Sequence, residues 1–90
     1  MDKKWVLVAF LSEDGQFRLK QYTTWHEARE RMVQSVYEYI VSENGYYKEF
    51  VDDSTLFRDS CGNLIAQLWL NDAILYCDKG RLDIHIHELE

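Results

Sequence analysis

The sequence predicts an α+β fold, an antiparallel sheet running β-β-α-β-β-β as a meander, with one long helix packed across one face. Two observations predict it. Several runs of β-forming residues are joined by short links, which favours antiparallel neighbours. Between residues 23 and 45, apolar residues recur at helical spacing. The chain has 90 residues, no proline and no internal linker, so we expect a single domain, residues 1–90.

The first predicted element is a β-hairpin. Residues 4–11, KWVLVAFL, and residues 17–22, FRLKQY, are rich in β-formers. Glu13-Asp14-Gly15 between them predicts a three-residue turn with glycine at the left-handed position. That turn length predicts three cross-strand pairs on an apolar core face: Leu11 with Phe17, Ala9 with Leu19, and Leu7 with Gln21.

The opposite face of this hairpin carries an apolar stripe edged by Arg18 and Lys20. The stripe consists of Val6, Val8, Phe10 and Tyr22. One interpretation is that the aliphatic stems of Arg18 and Lys20 cover the stripe. The alternative is that the stripe is the face through which two copies of the chain pair, as a small homodimeric module.

The helix is predicted over TTWHEARERMVQSVYEYIVSENG. Thr24 followed by Glu27 is a capping box, and Asn44-Gly45 is a typical C-terminal stop. The apolar residues fall on one stripe, which predicts the face that packs on the sheet. That stripe comprises Trp25, Ala28, Met32, Val36, Tyr39 and Ile40.

The second half of the chain is less regular. Residues 46–63 have no clean period and predict a loop with a short helical turn or an edge strand. Residues 64–70, LIAQLWL, are consistent with a buried strand or with a short helix capped by Asn63, and the bulky composition favours the strand. Residues 73–77 and 81–89 predict two further strands around a three-residue turn, Asp78-Lys79-Gly80.

The last strand contains the most motif-like stretch, RLDIHIHELE. His85 and His87 share one face of it, a spacing that resembles the paired-histidine strand of carbonic-anhydrase-type zinc sites. Pairing Cys77 with Arg81 across the turn places Ala73 opposite His85, which leaves Cys77 about 13 Å away along the strand. We therefore expect the histidines to lie on the exposed face of the strand, and they remain weak candidates for metal ligands. The predicted core half consists of Leu82, Ile84 and Ile86, with Ile74 and Tyr76.

Composition and charge exclude several classes of function. The formal net charge is −6, and residues 32–90 hold eleven acidic and four basic side chains. A net negative charge disfavours direct binding to nucleic acid or to an anionic membrane. The sequence contains no export signal, P-loop, dinucleotide fingerprint or G-x-S-x-G motif. We expect a cytoplasmic protein with reduced Cys61 and Cys77, no enzymatic activity and no cofactor.

The acidic and aromatic residues around the irregular segment are the main candidate for a binding surface. Carboxylates spaced along a surface can take the place of phosphates in a groove lined by Lys and Arg, and aromatic side chains supply apolar anchors. The candidate partner-binding residues are Glu43, Tyr46, Tyr47, Glu49, Phe50, Asp52, Asp53 and Asp59.

In size, acidity, aromatic content and layout of strands plus one helix, the chain resembles the small acidic accessory proteins of bacteriophages and mobile elements. That class includes anti-CRISPR inhibitors and anti-restriction DNA mimics. The resemblance implies a non-catalytic inhibitor in the host cytoplasm, which occupies the basic surface of a nucleic-acid-binding host defence protein. The two alternatives are the homodimeric module and a metal-binding protein that uses His85 and His87.

Overall fold

A computed structural model describes residues 3–12, 15–41, 45–77 and 80–89. In these ranges one helix, α1 (Trp25–Val41), packs on a single antiparallel sheet with the strand order β2-β1-β7-β6-β5-β4-β3. The α+β class with one long helix on one face is confirmed. The strands are β1 (Trp5–Leu11), β2 (Gln16–Tyr22), β3 (Tyr46–Val51), β4 (Ser54–Asp59), β5 (Leu64–Leu68), β6 (Asp72–Cys77) and β7 (Gly80–Glu88).

The predicted β-β-α-β-β-β meander is wrong in both strand number and order. Strands β3 to β7 form a meander, but the β1–β2 hairpin joins the far side of it, through pairing of β1 with β7. Strands β2 and β3, which flank the helix in sequence, therefore lie at opposite edges of the sheet. The helix makes this connection by crossing one face of the sheet from the β2 edge to the β3 edge.

The helix begins as its capping box predicts. The Glu27 backbone N–H donates to the Thr24 hydroxyl at 3.2 Å, and that hydroxyl donates to Glu27 Oε1 at 3.1 Å. Asn44 lies outside the described residues. Four of the six residues of the predicted stripe are fully buried against the sheet, and the other two, Trp25 and Tyr39, are partly buried. The fully buried residues are Ala28, Met32, Val36 and Ile40.

The predicted register of the first hairpin is wrong by one residue. Leu11 pairs with Gln16 rather than with Phe17, so that four residues rather than five lie between the paired residues. Because side chains alternate between faces, a one-residue shift moves every side chain of β2 to the other side of the sheet. Phe17 and Leu19 now lie opposite Phe10 and Val8, on the face away from the helix. Arg18, Lys20 and Tyr22 lie on the helix face with Leu7, Ala9 and Leu11.

The predicted register of the last hairpin is wrong for the same reason. Cys77 pairs with Gly80, which leaves a two-residue turn, and Ala73 and Leu75 rather than Ile74 and Tyr76 share the core face of β7. The predicted core residues of β7 itself are confirmed, since Ile84 is 2% and Ile86 5% exposed. Residues 64–70 contain strand β5, as the bulky composition predicted.

The edge strand that the sequence allowed within residues 46–63 is present as β3, but the loop and the helical turn are wrong, because these residues form the β3–β4 hairpin. Two features hid it from sequence patterns. All six residues of β3 are exposed, so burial imposes no alternation of apolar and polar residues. In β4, an irregularity in pairing with β5 falls between Phe57 and Arg58 and interrupts the two-residue period. Asp52 makes the turn with a left-handed φ of 54°.

Candidate functional site

The β3–β4 hairpin carries most of the predicted partner-binding residues at one edge of the sheet. Phe50 is 78% exposed, Tyr47 49% and Tyr46 39%. Their side chains are divided between the two faces, because Tyr46 and Phe50 share the face of Phe57 whereas Tyr47 and Glu49 share that of Leu56. The remaining predicted acids of this hairpin are Asp52 and Asp53 in the turn and Asp59 at the end of β4. Glu43 lies outside the described residues.

Several charges of this hairpin are engaged within the protein. Glu49 Oε2 lies 3.5 Å from Arg58 Nε. The Asp59 carboxylate accepts the backbone N–H groups of Asn63 and Cys61, both at 2.9 Å. These bonds, that of Asn63 above all, hold the pKa of Asp59 below its ordinary value, because they favour the charged form. Asp59 therefore stabilises the turn after β4. The exposed carboxylates at the opposite end of the hairpin are those of Asp52 and Asp53.

A cation lies among the aromatic residues on the helix side of this hairpin. Lys48 Nζ lies 5.0 Å from the centre of the Tyr37 ring and 6.0 Å from that of Phe57. A side-chain hydrogen bond with Tyr37 is the main cause that raises the pKa of Lys48 above its ordinary value. The hairpin therefore carries a positive charge among aromatic rings on its helix side. Its negative charge is concentrated at the Asp52-Asp53 turn.

The face of the sheet opposite the helix carries the second candidate surface. No described element covers this face. At its β1–β2 corner, Phe17 is 63% exposed, Leu19 62% and Phe10 37%, and Val6 and Val8 lie beside them. Tyr22, which the sequence placed in this stripe, lies on the helix side and packs against the core. The corner is more apolar than predicted, because Phe17 and Leu19 replace Arg18 and Lys20 on it. The exposed corner patch comprises Phe10, Phe17 and Leu19 with half-buried Val8, whereas Val6 on the same face is buried, at 9% exposure.

The two histidines are exposed on the same open face, as predicted. The residue opposite His85 on β6 is Asp72 rather than Ala73, and His85 Nδ1 contacts Asp72 Oδ1. The His85 and His87 rings are 5.9 Å apart between centroids. Among the described residues, no three His, Cys, Asp or Glu side chains come together in a group that could hold a metal ion. Cys61 and Cys77 are both exposed, free thiols.

A groove on the helix side is a feature that the sequence patterns missed. It lies between α1 and the β1–β2 hairpin, with a volume of about 560 Å³. Its lining combines apolar residues such as Leu7, Ala9 and Ile84 with Arg18, Lys20 and Arg31. The alternation of Arg18, Lys20 and Tyr22 along β2 was visible in the sequence, but the wrong turn length assigned these residues to the opposite face.

Tyr22 lies at this groove beside the helix. Burial is the main cause that raises the pKa of its hydroxyl above the ordinary value, and the positive charge of Arg31 acts in the opposite direction. The Tyr22 hydroxyl oxygen and Arg31 Nη1 are both buried atoms without a hydrogen-bond partner among the described residues. Polar atoms of this kind are uncommon in folded proteins and cost stability where they occur.

Among the described residues, no helix is both long and apolar enough to cross a membrane. No protein-family model, curated protein or solved structure matches the chain.

Proposed function

We propose that the protein is a non-catalytic binding module whose β3–β4 hairpin contacts a basic surface of a partner protein. The observation that carries this proposal is the tip of the hairpin, where Phe50 is 78% exposed beside the exposed acids Asp52 and Asp53. A large exposed aromatic residue is a typical anchor of a protein interface. Adjacent carboxylates give such an anchor specificity for a basic surface and speed the encounter with it.

The position of β3 at the edge of the sheet supports the same proposal. Among the described strands β3 pairs only with β4, and the N–H and C=O groups on its other side are available to a partner strand. Addition of a strand to a free edge is a common way of binding an extended peptide segment. The partner's backbone pairs with β3 in this mode, while Phe50 and the acidic turn select its side chains.

The partner that best fits this surface is a protein whose own function requires a basic, nucleic-acid-binding surface. Such a surface attracts the −6 charge of this chain. The resemblance to accessory proteins of bacteriophages and mobile elements points to a defence effector in the cytoplasm of the host cell. In this role the protein binds the effector stoichiometrically and blocks its access to nucleic acid.

Reversing both charges of the turn, Asp52→Lys with Asp53→Lys, is expected to weaken the complex by about tenfold, because attraction to a basic surface becomes repulsion. The partner is first identified by capture on the immobilised protein from extracts of the native host, followed by mass spectrometry. Affinity is then measured with the purified partner by calorimetry at low and high salt. The wild-type complex is expected to weaken as salt screens the attraction.

The matched control is Glu30→Lys with Glu88→Lys, which makes the same charge change at two exposed positions outside the hairpin. Circular dichroism establishes that both double variants are folded. The control is expected to change the affinity by less than about twofold. If the two double variants weaken binding equally, net charge rather than the hairpin governs the interaction, and the proposed site is wrong.

A second candidate function is homodimerisation through the exposed corner patch. The observation that favours it is the register of β2, which adds Phe17 and Leu19 to the patch on the open face of the sheet. Large exposed apolar patches mark interaction sites, since a monomer gains nothing from exposing them. A two-fold symmetric pair buries the same patch on both copies.

Phe17→Asp is expected to weaken such a dimer by at least about tenfold, because it places a charge at the centre of an apolar contact. Light scattering over a range of concentrations measures the equilibrium. Phe50→Asp is the control, since Phe50 is equally an exposed phenylalanine but lies outside the patch. A wild-type chain that remains monomeric at every concentration eliminates this candidate.

A further inference from the structure

The groove between α1 and the β1–β2 hairpin exists because the helix does not cover the whole sheet. The helix's buried stripe packs on the core residues of the central strands, while β2 at the edge remains exposed along most of its length. The small side chain of Ala9 adds depth to the floor between Leu7 and Leu11. The resulting volume of about 560 Å³ falls in the range of small-molecule sites, roughly 300–1,000 Å³.

The charge of this groove is opposite to that of the whole protein. Arg18 and Lys20 approach it from β2 and Arg31 approaches it from the helix. None of the described residues that line it is acidic. In a chain of net charge −6, three cations around an apolar floor form a local site for an anion.

Two buried polar atoms add a hydrogen-bonding requirement to this charge. The Tyr22 hydroxyl and Arg31 Nη1 have no hydrogen-bond partner among the described residues. The Glu38 carboxylate forms an ion pair with Arg31 Nη1 at 3.8 Å, a separation that is beyond hydrogen-bonding distance. Both atoms are donors, so an acceptor that carries negative charge satisfies them better than a neutral one.

We propose that this groove binds a single-chain amphiphile with an anionic headgroup, of the class of long-chain carboxylates. The headgroup accepts hydrogen bonds from Arg31 and Tyr22, within reach of Arg18 and Lys20. The alkyl chain lies on the floor formed by Leu7, Ala9 and Ile84. An acidic peptide fits less well, because its backbone N–H and C=O groups find no partners on an apolar floor and lose their water there.

The test uses three probes with the full chain, each below its micelle concentration in calorimetric titrations. Dodecanoate has both the chain and the anionic headgroup, and we expect a dissociation constant on the order of 10–100 µM. Dodecyltrimethylammonium has the same chain with a cationic headgroup and is expected to bind at least about tenfold more weakly. Acetate has the headgroup alone and is expected not to bind at millimolar concentration.

Substitutions inside and outside the groove test whether dodecanoate binds there. Arg31→Gln and Lys20→Gln are each expected to weaken dodecanoate binding by about fivefold, through loss of a charged donor. Ala9→Phe is expected to abolish it by filling the floor. Lys3→Gln makes the same charge change at an exposed position outside the groove, and Phe17→Ser alters the opposite face of the sheet. Both controls are expected to keep wild-type affinity.

Three results overturn the proposal. Equal binding of dodecanoate and dodecyltrimethylammonium shows that the cations do not select the headgroup. Absence of dodecanoate binding at millimolar concentration shows that the groove does not accept the chain. Loss of binding in Phe17→Ser, with wild-type affinity in Lys20→Gln, places the amphiphile on the exposed corner patch instead. Lys20 is an exposed edge residue, so its variant is folded even if Ala9→Phe is not.

Discussion

Phe57→Ala is expected to lower the free energy of unfolding by about 3–5 kcal/mol. Phe57 is fully buried in β4, and its ring meets the Tyr37 ring of the helix edge to face, with centroids 5.6 Å apart. Truncation removes the apolar contact area and leaves a cavity where the hairpin packs on the helix. A chain of 90 residues has roughly 5–13 kcal/mol of stability in total, so this loss is a large part of it.

The control for this prediction is Phe50→Ala, the same substitution on the neighbouring strand. Phe50 is 78% exposed, and we expect its truncation to change stability by less than about 0.5 kcal/mol. Urea unfolding, followed by circular dichroism, measures both variants. Similar effects of the two substitutions contradict the hairpin described here, because a loop over residues 46–63 gives no reason to distinguish the two phenylalanines.

Ile84→Thr is expected to lower the free energy of unfolding by about 2–4 kcal/mol. Ile84 lies on the central strand β7 between Ala9 of β1 and Ala73 of β6, and it is 2% exposed. Threonine removes apolar surface and buries a hydroxyl beneath the helix, where the neighbouring side chains offer it no hydrogen bond. Threonine is a good strand former, so the effect reports on burial rather than on strand propensity.

The adjacent substitution His85→Thr is the matched control. The His85 side chain is 46% exposed and pairs with Asp72, whose side chain is 47% exposed. Exposed pairs of this kind contribute about 0–1 kcal/mol, so we expect a change in stability within that range. The comparison, by urea unfolding, tests which face of β7 packs on the helix. A larger loss from His85→Thr than from Ile84→Thr contradicts the described register.

The sequence predicted which face is buried in β7 and in the helix, whose two faces differ clearly in polarity. In β7, isoleucine alternates with histidine and aspartate, so burial of Ile84 and Ile86 follows from the pattern. In the helix, the four-residue spacing from Ala28 to Ile40 predicted the stripe that the structure buries. For these elements, the hydrophobic effect leaves one acceptable orientation.

The sequence did not predict the faces of β2 and β6. In β2, Phe17 and Leu19 alternate with Arg18 and Lys20, yet the structure places the apolar pair on the open face of the sheet. In β6, Ala73 and Leu75 face the helix while Ile74 and Tyr76 lie on the open side, and polarity alone does not favour either set. Turn length then decides the register, and a one-residue error in each turn reversed both strands. That error hid the basic groove and placed Tyr22 in the wrong surface patch.

The candidate partner-binding residues were identified from composition, but their arrangement was not. Acids and aromatic residues around the 46–63 segment were evident in the sequence. The structure divides them between two faces of a strand, and uses Glu49 and Asp59 for contacts within the protein. Neither outcome is encoded in local spacing, because both depend on the pairing of β3 with β4.

The sequence by itself determined the α+β class, the helix with its capped start, and the buried faces of β7 and the helix. These features depend on local periodicity and on side chains within one turn of each other. The tertiary structure alone decided the strand order, the registers of the first and last hairpins and the groove beside the helix. Each of these depends on contacts between residues far apart in the chain, where a single residue of turn length determines which side chains meet.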